Sequence, residues 1–194
     1  EKQMPVTLVR KDPKVQRMME LQYGLDLREK TYLETLQLAS IASSDLKVLE
    51  DEKYMWRFLN PEESFLDVKF TAKKIETADL LTLQKIKKNI TWLNLSDCKL
   101  SDEQLGYLSE FPNLTRLKIQ KNPMLTNKGI EALQELENLS QLNLYGTRIN
   151  DAAFTTLGQM KSLEKLFLWN TRVTAKGIAA FKAQHPDIEV IAGL

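Results

Sequence analysis

A three-residue phrase recurs along the second half of the chain at an almost constant interval. Leu93-Asn-Leu95, Leu117-Lys-Ile119, Leu142-Asn-Leu144 and Leu166-Phe-Leu168 start 24, 25 and 24 residues apart. Each is followed at one fixed place by a small or polar residue (Cys98, Asn122, Thr147, Thr171), then by an apolar one (Leu100, Leu125, Ile149, Val173). A stretch with helical spacing comes next: Leu105, Leu108 and Phe111; Ile130, Leu133 and Leu136; Phe154, Leu157 and Met160; Ile178 and Phe181. Leu114, Leu139, Leu163 and Ile188 close the units. Accidental leucines in a helical bundle would not hold such a phase over four units, so the chain must stack like pieces on one another.

The order L-x-x-L-x-L-x-x-N/C/T-x-L is that of leucine-rich repeats. In that architecture a short parallel strand lines the inner face, a helix returns outside, and leucines from both fill the space between. The expected fold is therefore an α/β leucine-rich-repeat solenoid over 65–194, with about five units. The first, at 65–89, is degenerate: Phe65, Val68 and Phe70 as strand, Ile75, then Leu80, Leu83 and Ile86 as helix. Ser101-Asp102, Thr126-Asn127, Asn150-Asp151 and Thr174-Ala175 mark helix starts with short capping side chains. Pro123 and Met124 account for the single 25-residue interval as a loop insertion. Ile188, Val190 and Ile191 predict a last strand, and the array is expected to end there or nearly so.

Residues 1–64 carry no clean copy of the repeat. Asp12-Pro13 reads as a helix start followed by the apolar face Val15, Met18 and Met19, which Gly24 ends. The spacing of Leu33, Leu36, Leu38 and Ile41, and then of Leu46, Leu49, Tyr54, Met55 and Phe58, predicts two further helices. Ser43-Ser44-Asp45 breaks them and Pro61 ends the region. An exposed first repeat would leave leucines in water, so this mostly helical segment is expected to be an N-terminal cap.

Composition excludes several classes of function. Lys+Arg 27 against Asp+Glu 26 gives no overall basic footprint for nucleic acid. No apolar run approaches the ~20 residues that cross a bilayer, so no direct membrane insertion by this chain is expected. One cysteine and one histidine rule out a disulfide framework within the chain, a zinc finger and a two-histidine metal site. Cys98 falls at a turn position suited to a buried structural thiol, and His185 at the end of the last helix suits a C-terminal cation. No phosphate loop and no catalytic constellation can be assembled, so no enzyme activity, cofactor or metal is expected. Asn89, Asn113 and Asn138 sit in glycosylation-type triplets at one repeat position, which the repeat consensus explains without sugar.

Three strings carry a closer likeness: Asn89-Ile-Thr-Trp-Leu-Asn-Leu-Ser96, Leu142-Asn-Leu-Tyr-Gly-Thr147 and Leu166-Phe-Leu-Trp-Asn-Thr-Arg-Val-Thr174. They resemble the C-terminal repeat region of envelope proteins from Bacteroidetes and Planctomycetes that also carry a Planctomycete-type cytochrome c domain. The resemblance implies an exported, periplasmic or otherwise extracytoplasmic protein of which this chain is the repeat portion. The chain has no Cys-x-x-Cys-His, so haem binding does not carry over.

Strand side chains alternate, so the residues flanking the buried leucines share the concave face. The candidate binding surface is Trp92 and Asn94, Arg116 and Lys118, Asn143 and Tyr145, and Lys165, Phe167 and Trp169. Exposed aromatics beside cations are the composition of an interface. The expected function is a non-enzymatic protein-interaction module. Its partner would be another domain of the same protein or another envelope protein. The alternative is a structural spacer with no ligand of its own.

Overall fold

The computed structural model describes residues 43–60 and 65–193. A helical turn, α1 (Ser43–Leu46), runs into a 3-10 turn at Lys47–Leu49. The strands are β1 (Tyr54–Asn60), β2 (Phe65–Phe70), β3 (Ile90–Asn94), β4 (Arg116–Lys118), β5 (Gln141–Asn143), β6 (Lys165–Phe167) and β7 (Glu189–Ile191). The helices between them are α2 (Thr77–Gln84), α3 (Asp102–Leu105), α4 (Asn127–Glu131), α5 (Ala153–Leu157) and α6 (Ala175–Gln184). One sheet holds the strands in chain order, β1 antiparallel to β2 and every later pair parallel. This is the expected leucine-rich-repeat solenoid.

The register follows the sequence phase. Leu93 pairs with Leu117, Leu117 with Leu142, and Leu142 with Leu166, and all four are buried. Leu95, Ile119, Leu144 and Leu168 are buried beside them, and one apolar core runs from Leu49 to Val190. The turns after β3, β4, β5 and β6 are closed by the same bond, made with three different kinds of side chain. Cys98 Sγ donates to Leu95 O (3.1 Å), Asn122 Nδ2 to Ile119 O (2.9 Å), Thr147 Oγ1 to Leu144 O (2.7 Å) and Thr171 Oγ1 to Leu168 O (2.8 Å). The residue before each of these is left-handed: Asp97, Lys121, Gly146 and Asn170, with φ between 53 and 69°. Only glycine takes that conformation without steric cost, and asparagine and aspartate at less cost than the rest.

The expected helix over Leu46 to Phe58 is corrected. Helical structure stops at Leu49, and Tyr54–Asn60 is a strand. Tyr54, Trp56 and Phe58 alternate at period two and pair with Phe70, Val68 and Leu66, so the aromatic run satisfies its backbone on β2. The Tyr54 hydroxyl also donates to Asp79 O of α2 (3.2 Å), and burial, first, pushes that phenol above its usual range. The helices expected within 1–42 and the stop at Pro61 lie outside the described residues.

Helix starts use the expected caps at three of four places. Ser101, Thr126 and Thr174 accept the N–H groups of Gln104, Lys128 and Gly177. At α5 the cap residue is Ala152, and Asn150 Oδ1 instead accepts the Ala152 N–H ahead of the helix. The joints between repeats along this edge alternate. Asp102 takes the N–H and hydroxyl of Thr126, and Asp151 takes those of Thr174. Between these two carboxylate clamps the joint is a neutral amide pair, Asn127 with Asn150.

Candidate functional site

Three-residue strands place two side chains each on the concave face, and the structure divides the predicted surface in two. At the β3–β4 end, Trp92 lies on the predicted face but is only 4% exposed, which corrects its assignment as a binding residue. The guanidinium of Arg116 lies over its ring at 3.9 Å from the centroid, and that of Arg57 approaches at 6.0 Å. Arg57 is itself held by Asp67 (Nη2 to Oδ2, 2.8 Å). Trp92 is thus a packing residue beneath cations brought from β1 and β4. Asn94 turns back on its own strand end and accepts the Ser96 N–H at 3.1 Å. Lys118 is exposed but lines no depression among those described here.

At the other end Asn143, Tyr145, Phe167 and Trp169 converge. With Gln120 and Ile191 they line an open depression of about 190 Å³. Asn143 fixes one wall, donating from Nδ2 to Gln120 Oε1 (2.8 Å) and accepting the Tyr145 N–H (3.0 Å). Tyr145 and Phe167 are half-buried, whereas Trp169 is 51% exposed. Its indole lies flat against Gly193, where a β-carbon would come within 2.9 Å of the ring. Lys165 is neutralised by Glu189 on the next strand (2.9 Å), so the depression itself is aromatic and amide-lined rather than cationic. Ile191 was not foreseen as a lining residue, although its pairing with Phe167 puts it at the same repeat position.

A larger hollow of about 450 Å³ lies on the outer face between α5 and α6. Its floor is packing: Phe154 stacks on Phe181 at 4.7 Å, and His185 leans on Phe181 at 4.7 Å. His185 is the C-cap residue of α6, as expected. Cys98 is fully buried, and burial pushes its thiol up to about 12. A thiol so poor in thiolate is no nucleophile near neutral pH. Asn113 and Asn138 donate to Lys88 O (2.6 Å) and Pro112 O (2.7 Å) in the preceding repeats, a structural duty for two of the glycosylation-type asparagines. Among the described residues no group of three or more His, Cys, Asp or Glu is arranged to hold a metal ion, and no helix is long and apolar enough to cross a membrane.

The family models that match the sequence agree with the repeat architecture. Two Leucine Rich Repeat family models match, one at residues 89–111 and one at 112–133. Among solved structures, an internalin from Listeria monocytogenes is similar at 20% identity with a TM-score of 0.45. The match covers 58% of this chain and 31% of the internalin, so it spans less than a third of that relative's length.

Proposed function

We propose that this leucine-rich-repeat solenoid is a protein-interaction module whose contact face is the concave surface of its last repeats. The observation that carries the reading is the convergence of Asn143, Tyr145, Phe167 and Trp169 on one open depression, with a half-exposed tryptophan at its edge. Aromatic side chains of this kind offer large contact area at small conformational cost, and they dominate interface energetics. The likeness of Leu166–Thr174 to envelope-protein repeats supports a partner outside the cytoplasm, either another domain of the same protein or a second envelope protein.

The test is capture from an envelope extract by the chain and by a Tyr145→Ala, Phe167→Ala, Trp169→Ala triple variant. Loss of one hot-spot aromatic costs ~2 kcal/mol or more, about thirtyfold in affinity. A partner held by the parent chain and lost from a still-folded variant supports the reading. Equal capture by both removes the concave face from the account, and no capture by either gives the lead to a spacer role.

A further inference from the structure

The last two turns of the array share a pattern that the earlier turns lack. Tyr145-Gly146-Thr147-Arg148-Ile149 and Trp169-Asn170-Thr171-Arg172-Val173 each place an aromatic, a left-handed residue, a threonine bonded three residues back, an arginine and a β-branched residue in order. The corresponding stretches at Ser96–Lys99 and Gln120–Met124 contain no aromatic. The left-handed residue reverses the chain, so each turn presents its aromatic to the depression and, three residues on, carries its arginine out to the edge. The two turns are bonded side by side, Gly146 N–H to Trp169 O (3.0 Å) and Arg172 N–H to Ile149 O (2.8 Å).

Arg148 and Arg172 are exposed, and neither forms an ion pair among the described residues. The acid nearest Arg148 in sequence, Asp151, directs its carboxylate to the N–H and hydroxyl of Thr174. Two guanidiniums at one repeat position in adjacent, bonded turns repel each other until an anion bridges them, and a planar guanidinium is the group best shaped for carboxylate. The same two turns thus supply two aromatics of the depression and two exposed arginines without ion-pair partners among the described residues.

We propose that this double turn recognises a short extended acidic segment of a protein partner. One apolar side chain fills the depression, and carboxylates a few residues along the segment lie over Arg148 and Arg172. The proposal rests on the concave-face reading above and names the chemistry of its ligand. A nucleic acid fits less well. The arginines' repeat position also holds exposed Lys99, and the same edge carries exposed Lys121, but Asp97 and the apolar Met124, both exposed, interrupt the row, and a continuous polyanion needs a continuous cationic track.

The experiment is fluorescence anisotropy with three labelled decapeptides: one leucine followed by Asp-Glu-Asp, the same with Asn-Gln-Asn, and the same with serine for leucine. The acidic leucine peptide should bind, weaken with added salt, and lose about tenfold in Arg148→Glu/Arg172→Glu. Both control peptides should bind more weakly, and Arg148→Lys/Arg172→Lys should fall between the parent chain and the charge reversal. Peptide binding that is lost in Phe167→Ala/Trp169→Ala but indifferent to salt and to the arginine reversal overturns this proposal while leaving the concave-face reading intact. No binding of the acidic peptide at ~1 mM overturns it as well. So does tighter binding of oligothymidylate, which would give the edge to nucleic acid.

Discussion

The Arg116 guanidinium covers the Trp92 ring at 3.9 Å, and the two residues are directly paired across β4 and β3. Period-two alternation puts both on the concave side, yet only one end of that side is open. Trp92→Ala removes a nearly fully buried ring, so it should destabilise the protein by about 3–5 kcal/mol in urea titrations. Binding at the Tyr145–Trp169 depression should be unchanged once the fraction folded is taken into account. A small stability loss with weakened binding would return Trp92 to the interface.

Asn122 joins two repeats through its amide. Oδ1 accepts the N–H groups of Cys98 (3.2 Å) and Leu100 (3.0 Å), and Nδ2 donates to Leu95 O (2.8 Å) and Ile119 O (2.9 Å). Asn122→Leu keeps the branched heavy-atom skeleton and strips these bonds from a site with no solvent access. The expected loss is on the order of 2–4 kcal/mol, with Asn122→Thr intermediate because a hydroxyl can still reach Ile119 O. Chemical denaturation of the pair provides the check.

Alkaline pH should act through Cys98. Its folded pKa is raised to about 12 by burial, above the ~8.5 of a free thiol. The unfolded chain therefore loses this proton first. The associated stability is complete below about pH 8.5 and declines as pH rises toward the folded value. Cys98→Ser places a hydroxyl where Thr147 and Thr171 carry theirs, so it should cost no more than about 1 kcal/mol near neutrality. Between pH 9 and pH 10, below the range where the buried Tyr54 phenol adds a decline of its own, denaturation of the parent chain should show a decline, as an order-of-magnitude expectation about 1 kcal/mol per unit, that the serine variant lacks. Rapid modification of native protein by a water-soluble thiol reagent would contradict the burial.

Gly177 and Asp151 are coupled across a repeat joint. A β-carbon on Gly177 would come within 2.4 Å of the Asp151 carboxylate, which meanwhile holds the Thr174 N–H at 2.7 Å. Gly177→Ala alone should therefore destabilise despite the better helix propensity of alanine. Combined with Asp151→Ala, it should cost at least about 0.5 kcal/mol less than the sum of the single changes. Additive costs in a double-mutant cycle would show that the contact does not limit the site.

Periodicity carried the repeat region because every structural duty there returns at the same place in each unit. Leu93, Leu117, Leu142 and Leu166 fall into one buried row, and Cys98, Asn122, Thr147 and Thr171 into one row of turn bonds. The strand at Tyr54–Asn60 escaped because Leu46, Leu49, Met55 and Phe58 also fit a helical spacing. Only the distant partner β2 decides between the two periods. The same limit explains Trp92. Alternation fixes the side of a sheet, whereas burial depends on what other strands bring over it, here the guanidinium of Arg116. Tyr145, Phe167 and Trp169 were legible as one surface because, among the described residues, nothing bulky from another part of the fold covers them. Ile191 belongs to a strand read only for its core residues.

The alternation of carboxylate and amide joints gives the array a grain. Thr126 is tied back to Asp102 and Thr174 to Asp151 by charge-assisted bonds, whereas the Asn127–Asn150 joint has only neutral ones. Along this edge the solenoid is therefore two doublets laid end to end rather than four equal rungs. The seam between them is held along this edge by neutral hydrogen bonds alone. That seam crosses one wall of the depression, at the Gln120–Asn143 bond, and leaves Tyr145, Phe167 and Trp169 together on the downstream doublet.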